Sequence, residues 1–320
     1  MTLLLNRRPG WKWPWVTLTI VGGIEYKGMS VKRYRILNVD FDTRATILSQ
    51  EIKDDCEEHI KEIHRGNKAS VSAGLRAEFG ERFFDAKIQN FIDVGTKPLS
   101  IVAYHNKFFE QARSSFVVGS YYPALTAVCA LGERILNHLM LLLRDVFKGT
   151  PEYKKVYRKD SFDHWDLPIE TLETWKVLLP ATSDHFRKLS IIRNRHAIHF
   201  NPDTDSNDRP LALEAIKLMN EIIACQFSGF AGLPWGLGIP GEIYIKKASE
   251  NEPFVAKVYL PNCLLLGPHH TIDDIRPDGT MVVRDAEEYE DREISDEEFC
   301  TMRNERQKSR RNPHLESILN

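Results

Sequence analysis

The segment Ile191-Ile192-Arg193-Asn194-Arg195-His196-Ala197-Ile198-His199-Phe200 interleaves two arginines, an asparagine and two histidines with apolar residues. From Phe186 to Phe200 no acidic residue neutralises them. The planar guanidinium of arginine stays charged and binds oxyanions bidentately. Histidine, with an unperturbed pKa of about 6.5, moves protons near working pH. Arg193 therefore suits an anionic group, His199 suits proton transfer, and Asn194 suits the orientation of either by hydrogen bonds. Arg195 and His196 are supporting candidates, with His196 open to a purely structural role against a backbone carbonyl. So much polarity in a helix with two apolar faces is costly unless partners or a ligand satisfy it; the plain alternative is a surface helix with basic decoration.

At about 100° per residue an α-helix puts Arg193 and His196 on one side and Arg195 and His199 on a neighbouring one, with Arg193 and His199 roughly 9 Å apart along the axis. No single face collects all four. Two copies packed about a two-fold axis would bring both sets into one cleft, so the geometry favours a homodimer.

Other motifs carry less. Gly236-Leu237-Gly238-Ile239-Pro240-Gly241 matches GxGxxG, but it follows a helix, contains proline and leads into a strand, the reverse of a dinucleotide-binding context, and reads as a linker. The pairs His196/His199 and His269/His270 lack a carboxylate or cysteine at a recognised metal spacing, and adjacent loop histidines are usually exposed. No metal and no cofactor are expected. GxxxxGK[ST] and GxSxG are absent, which removes the common P-loop and serine-hydrolase readings.

The elements that must position these residues are mainly helical. SQEIKDDCEEHIKEI and SAGLRAEFGERFFDAKIQNFI show helical periodicity and read as two outer helices. IVAYHNKFFEQARSSFVVGS and YYPALTAVCALGERILNHLMLLLRDVFKG carry the strongest helical signals. The second starts near Pro123, stops at Gly149 and is apolar around most of its circumference, so it should be central and buried. Thr182, Ser183 and Asp184 offer an N-cap to HFRKLSIIRNRHAIHF, which Asn201-Pro202 should stop, and PLALEAIKLMNEIIACQF follows. Short β stretches are expected around Val16 to Val21 and Lys32 to Val39, as a hairpin or cap, and in EIYIKKA, FVAKVYL and GTMVVRD, with turns at Ser249-Glu250-Asn251-Glu252 and Pro277-Asp278-Gly279. The domains so drawn are an N-terminal β hairpin or cap over 1–45, outer helices over 46–98, a helical domain over 99–230, a small β-rich unit over 231–285, and a charged helix or tail over 286–320, α+β overall. The final basic run (Arg303, Arg306, Lys308, Arg310, Arg311) is of the kind usually found as solvated helix or disordered tail.

With 320 residues, 42% hydrophobic and 28% charged, the chain can bury one substantial core and a smaller second one. A net charge of -2 excludes a globally basic nucleic-acid binder, so any such surface is local. The cysteines, Cys56, Cys129, Cys225, Cys263 and Cys300, are odd in number and contain no CxxC, which fits a reducing cytoplasm. The N-terminal apolar stretch is too short for a signal peptide. The longest uninterrupted apolar run, Leu139 to Leu143, falls far below the roughly 18 residues that cross a bilayer, so no membrane span is expected. Trp11, Trp13 and Trp15 read as part of a packed strand rather than as a membrane contact.

At Arg193, Asn194 and His199 the sequence resembles the HEPN superfamily, whose nucleases carry an Arg, usually a polar residue next, and a His a few residues on along one core helix. The resemblance extends to YYPALTAVCALGERILNHL, which is similar to a core helix of several HEPN families, with Glu133 where an acidic residue often occurs. It covers roughly residues 100 to 228. It implies a HEPN-like four-helix core, RNA as substrate, metal-independent cleavage at a dimer-interface site, and roles in toxin-antitoxin or antiviral defence, with an antitoxin or regulatory protein as a further partner. Metal-free RNA cleavage uses the neighbouring 2'-hydroxyl as nucleophile; it needs a base for that proton, a cation for the developing phosphorane charge and an acid for the leaving oxygen. Arg193 would serve the phosphate and His199 the proton. The competing expectations are a non-catalytic HEPN module that binds RNA, a nucleotide or a partner protein, and a helical scaffold or sensor in a defence complex.

Overall fold

The computed structural model describes residues 19–20, 31–36, 40–100, 103–199, 201–228, 232–276, 281–290 and 292–311. In chain order the first elements are β1 (Thr19–Ile20), β2 (Arg33–Ile36), β3 (Asp40–Asp42), α1 (Arg44–Ser49), α2 (Glu58–Phe79), α3 (Phe84–Val94) and β4 (Lys97–Ser100). The central helices are α4 (Ala103–Val117), α5 (Tyr121–Leu143), α6 (Tyr153–Val156), α7 (Asp166–Thr174), α8 (Pro180–Ile192) and α9 (Pro202–Gln226). β5 (Gly236–Ile239), β6 (Glu242–Ile245), β7 (Cys263–Leu266), β8 (Thr271–Ile275), β9 (Met281–Arg284) and α10 (Asp296–Arg311) close the chain. They form two compact units, Val39–Leu233 and a second made of Met1–Asn38 with Pro234–Asn320. The architecture is mainly helical with small sheets, as the periodicity predicts.

In the helical unit α5 is the central element. Leu125, Val128, Leu136, Met140 and Leu143 are fully buried, and α5 packs along α4, α9 and α8. Tyr121–Phe147 is by length and composition apolar enough to cross a bilayer, although its longest uninterrupted apolar run is short; half of its most apolar stretch is buried within the fold. Gly132 lets other elements approach closely, since a Cβ there would sit 2.5 Å from Trp165 Cη2 and 3.1 Å from Leu189 Cδ2. The amphipathic stretch expected to run on from residue 72 is divided at Gly80, whose φ of +76° suits glycine and whose N–H bonds Arg76 O to close α2. Ala45, Leu75, Phe84, Phe91 and Val117 form a satellite core beneath α1 to α3.

The connection between α5 and α8 holds two short helices, α6 and α7. Trp165, at the start of α7, is buried and meets Phe186 edge-on at 6.2 Å. α8 starts earlier than its Thr182-Ser183-Asp184 signal indicates: Leu179 is the N-cap, Pro180 takes the first helical position, and Thr182 and Ser183 are buried. α9 also starts earlier than PLALEAIKLM suggests. Asn201 caps it by accepting from Asp203 N at 3.0 Å, Pro202 opens it, and the non-helical Asn207 lets the chain pass Pro210.

In the other unit the described residues of the two strands expected to form an N-terminal hairpin pair with other partners. β2 pairs antiparallel with both β6 and β7 in the sheet β5-β6-β2-β7, whereas β1 pairs in parallel with β9 in the sheet β1-β9-β8. Residues read as a separate 1–45 cap therefore share sheets with residues of 231–285, and β3 instead joins β4 in the helical unit. Gly236 to Ile239, read as a linker, is a strand hairpinned to β6 about Gly241, whose φ is +75°. FVAKVYL, read as a strand, forms a π-helical turn at Val255–Tyr259 followed by a 3-10 turn; Phe254 and Tyr259 pack against Trp235 and direct these residues inward. Trp11, Trp13, Trp15 and the Pro277-Asp278-Gly279 turn lie outside the described residues.

α10 is no solvated tail. Phe299 is fully buried beside Tyr244 and Ile294, and Arg303 is buried. Arg303 pairs with Glu242 and donates to His270 O at 2.7 Å. His270, expected exposed in a loop, is itself fully buried among Arg35, Tyr244 and Arg303, and burial between two guanidiniums lowers its pKa to about 4.

Candidate functional site

Beyond Ile192 the α-helical hydrogen-bonding of α8 gives way to a π-helical turn, Arg193–Ile198. Such turns bond i to i+5 and are wider than an α turn, so the angular positions expected for a regular α-helix shift. His199 leaves the helix altogether, with extended φ −98° and ψ 143°. Arg193, Asn194 and Glu133 are brought together; Arg195, His196 and His199 are not part of that contact.

Arg193 Nη2 donates to Glu133 Oε2 at 2.5 Å, and Nη1 donates to Asn194 Oδ1 at 2.9 Å. Its guanidinium carbon lies 5.4 Å from the Trp165 ring centre, and the Trp165 indole N–H approaches Glu133 Oε2 at 3.5 Å. Sequence reasoning missed Trp165; the nearby Gly132, at the point of closest approach, is the only local signal for it. The Arg193 side chain is 13% exposed. A guanidinium has five N–H groups, and those not used by Glu133 and Asn194 have no acceptor among the described residues.

Arg193 borders a groove of about 560 Å³ lined also by Glu133, Arg134, Asn137 and His138 of α5 and by Ala197 and Ile198. The row Glu133, Asn137 and Leu141, with Arg134 and His138 beside it, repeats every four residues on α5, so a polar stripe was present in a helix that reads as apolar nearly all round. Burial lowers the pKa of His138. The neighbouring His105, 5.8 Å away between ring centres, is lowered to about 3 by burial, with the Arg134 charge acting in the same direction. Cys129 also lines the groove, and burial pushes its thiol up to about 12 against the pull of Arg193, which disfavours the thiolate.

His196 Nδ1 is hydrogen-bonded to Thr204 Oγ1 at 3.1 Å, tying the π turn to the first turn of α9. Tyr122 donates its hydroxyl to Ala197 O at 3.3 Å and fixes the end of the same turn. Arg195 and His199 are exposed, and among the described residues neither has a hydrogen-bond partner. His199 does not line the groove. Ile191, Ile198, Tyr122 and Leu141 expose large apolar side chains around the motif, Ile191 and Ile198 by 52% and 51%. Compared with protein-family models, with curated proteins and with solved structures, the chain matches none of them.

Proposed function

We propose that this protein is a metal-independent RNA endonuclease of the HEPN type, with a four-helix core formed by α4, α5, α8 and α9, working as a homodimer. The observation that carries the reading is the arrangement of Arg193: its guanidinium is fixed by Glu133, Asn194 and Trp165 at the edge of a groove, with N–H groups left over for a phosphate. A guanidinium fixed in this way stabilises charge on a phosphorane without reorganising. Exposed His199 then supplies proton transfer from the end of the same turn, where a second copy can reach it. Ile191, Ile198, Tyr122 and Leu141 supply an apolar contact for that copy. A cytoplasmic setting in defence or toxin-antitoxin control, with a restraining partner protein, completes the proposal.

The test is cleavage of mixed cellular RNA in EDTA by the full chain beside Arg193→Ala and His199→Ala. Cleavage by the wild type alone, leaving 2',3'-cyclic phosphate ends, is the expected result. Equal inertness of all three, with RNA still bound by the wild type, would leave the second reading: a module that binds RNA or a nucleotide without cutting it. One observation favours that alternative, namely that His199 stands outside the groove that Arg193 borders.

A further inference from the structure

Away from the Arg193 groove, His185 of α8 and Glu221 and Cys225 of α9 converge. One imidazole nitrogen, one carboxylate oxygen and the Cys225 sulfur all lie within 4.8 Å of one another. Glu221 and Cys225 are four residues apart on α9, so they stand one turn above the other on one face. His185 Nδ1 is buried and has no hydrogen-bond partner among the described residues, a cost the fold carries unless something is placed against that nitrogen. Cys225 is a free thiol.

The two helices are held in register close by. Gln226, fully buried and next in sequence to Cys225, accepts from Leu179 N at 3.0 Å and donates to Val177 O at 3.0 Å. This clamp joins the end of α9 to the start of α8. Ligands of a tetrahedral zinc ion, bound at about 2.0 to 2.3 Å, stand roughly 3.5 Å from one another, a spacing that small side-chain rotations reach from the one observed.

We propose that His185, Glu221 and Cys225 bind one zinc ion that ties α8 to α9, with solvent at the fourth position. A set of one sulfur, one nitrogen and one oxygen matches the borderline softness of zinc, whereas magnesium and calcium take oxygen ligands. On binding, the Cys225 S–H bond breaks, its proton passes to solvent, and the thiolate pair forms the bond to zinc, with no change of oxidation state. The ion would lie about 12 Å along the axis of α8 from Arg193, so it is a structural tie and not part of the cleavage proposal, on which this inference does not rest.

The experiment is titration of the chelator-stripped full chain with zinc against a chromogenic chelator, and separately with cobalt(II). One equivalent of zinc is expected, bound at least about tenfold less tightly by His185→Ala and by Cys225→Ser. Bound cobalt should show a thiolate charge-transfer band that Cys225→Ser abolishes. Thermal unfolding of the metal-free variants against the metal-free wild type reports whether they fold. Should Cys225→Ser unfold, the exposed Glu221→Gln carries the test and should weaken zinc in the same way. Zinc affinity equal in the wild type and every folded variant, or a cobalt band that survives Cys225→Ser, would overturn the assignment.

Discussion

Arg193 Nη2 and Glu133 Oε2 lie 2.5 Å apart, joining the end of α8 to the middle of α5. Replacing Glu133 with Gln keeps the shape and removes the charge. Hydrogen bonds to charged groups contribute about 1.5 to 3 kcal/mol, so urea unfolding should report a loss at the lower end of that range, because the Glu133 side chain is 31% exposed. If Glu133 orients the Arg193 fork for cleavage, the same variant lowers kcat by about a hundredfold while RNA binding at low salt is kept. An unchanged kcat would remove Glu133 from the mechanism.

Gly132→Ala places a methyl group 2.5 Å from the Trp165 ring. Both partners belong to packed elements, so the overpacking should cost about 1 to 3 kcal/mol. The Trp165 fluorescence should shift as the ring is displaced, and chemical denaturation with emission as the signal checks both effects at once.

Arg195 is exposed and unpaired among the described residues, so Arg195→Ala should leave the unfolding midpoint unchanged. If it contacts RNA phosphate, the logarithmic salt dependence of binding should fall by about one ion. Binding isotherms at three salt concentrations decide this, and an unaltered slope would return Arg195 to surface decoration.

His105 is buried with its pKa lowered to about 3 by desolvation and, secondarily, by Arg134. Its unfolded counterpart titrates near 6.5, so between those values the unfolded chain binds the extra proton. The stabilisation is complete above about pH 6.5 and is lost as pH falls toward about 3, at up to ~1.4 kcal/mol per pH unit. His270, with its pKa lowered to about 4, acts in the same direction in the other unit. Unfolding free energies at pH 5, 6 and 7 should rise with pH, and His105→Gln should flatten the slope of the transition assigned to the helical unit.

Arg303→Ala leaves Glu242, its side chain 9% exposed, with Arg35 as its remaining guanidinium partner and removes the donor to His270 O. Breaking a buried pair costs about 3 to 5 kcal/mol, and the retained Arg35 puts the expected loss near the lower figure. Limited proteolysis should release the α10 segment sooner in the variant than in the wild type.

The helical core was legible because α5, α8 and α9 carry apolar residues at helical spacing over long stretches, and because Asn201-Pro202 marks a boundary by its backbone chemistry. Arg193 and Asn194 stood out by residue type and Glu133 by motif resemblance, and the three meet. Three features were hidden. Trp165 reaches the pair across α5 only because residue 132 lacks a side chain, a relationship no linear spacing encodes. The β2 strand found its partners more than two hundred residues away, beyond the reach of hairpin signals. His185, Glu221 and Cys225 escaped every metal pattern because they come from two helices.

The π turn at Arg193–Ile198 has a consequence for how the protein can change. A π turn holds one residue more than regular helical bonding would accept, at some cost in hydrogen-bond quality. Deleting Ala197 would let α8 continue as an ordinary helix and should raise its thermal tolerance. The same deletion would rotate every later side chain about the axis, drawing Thr204 away from His196 and His199 into the helix. Thermal stability and the geometry of the motif would then change in opposite directions.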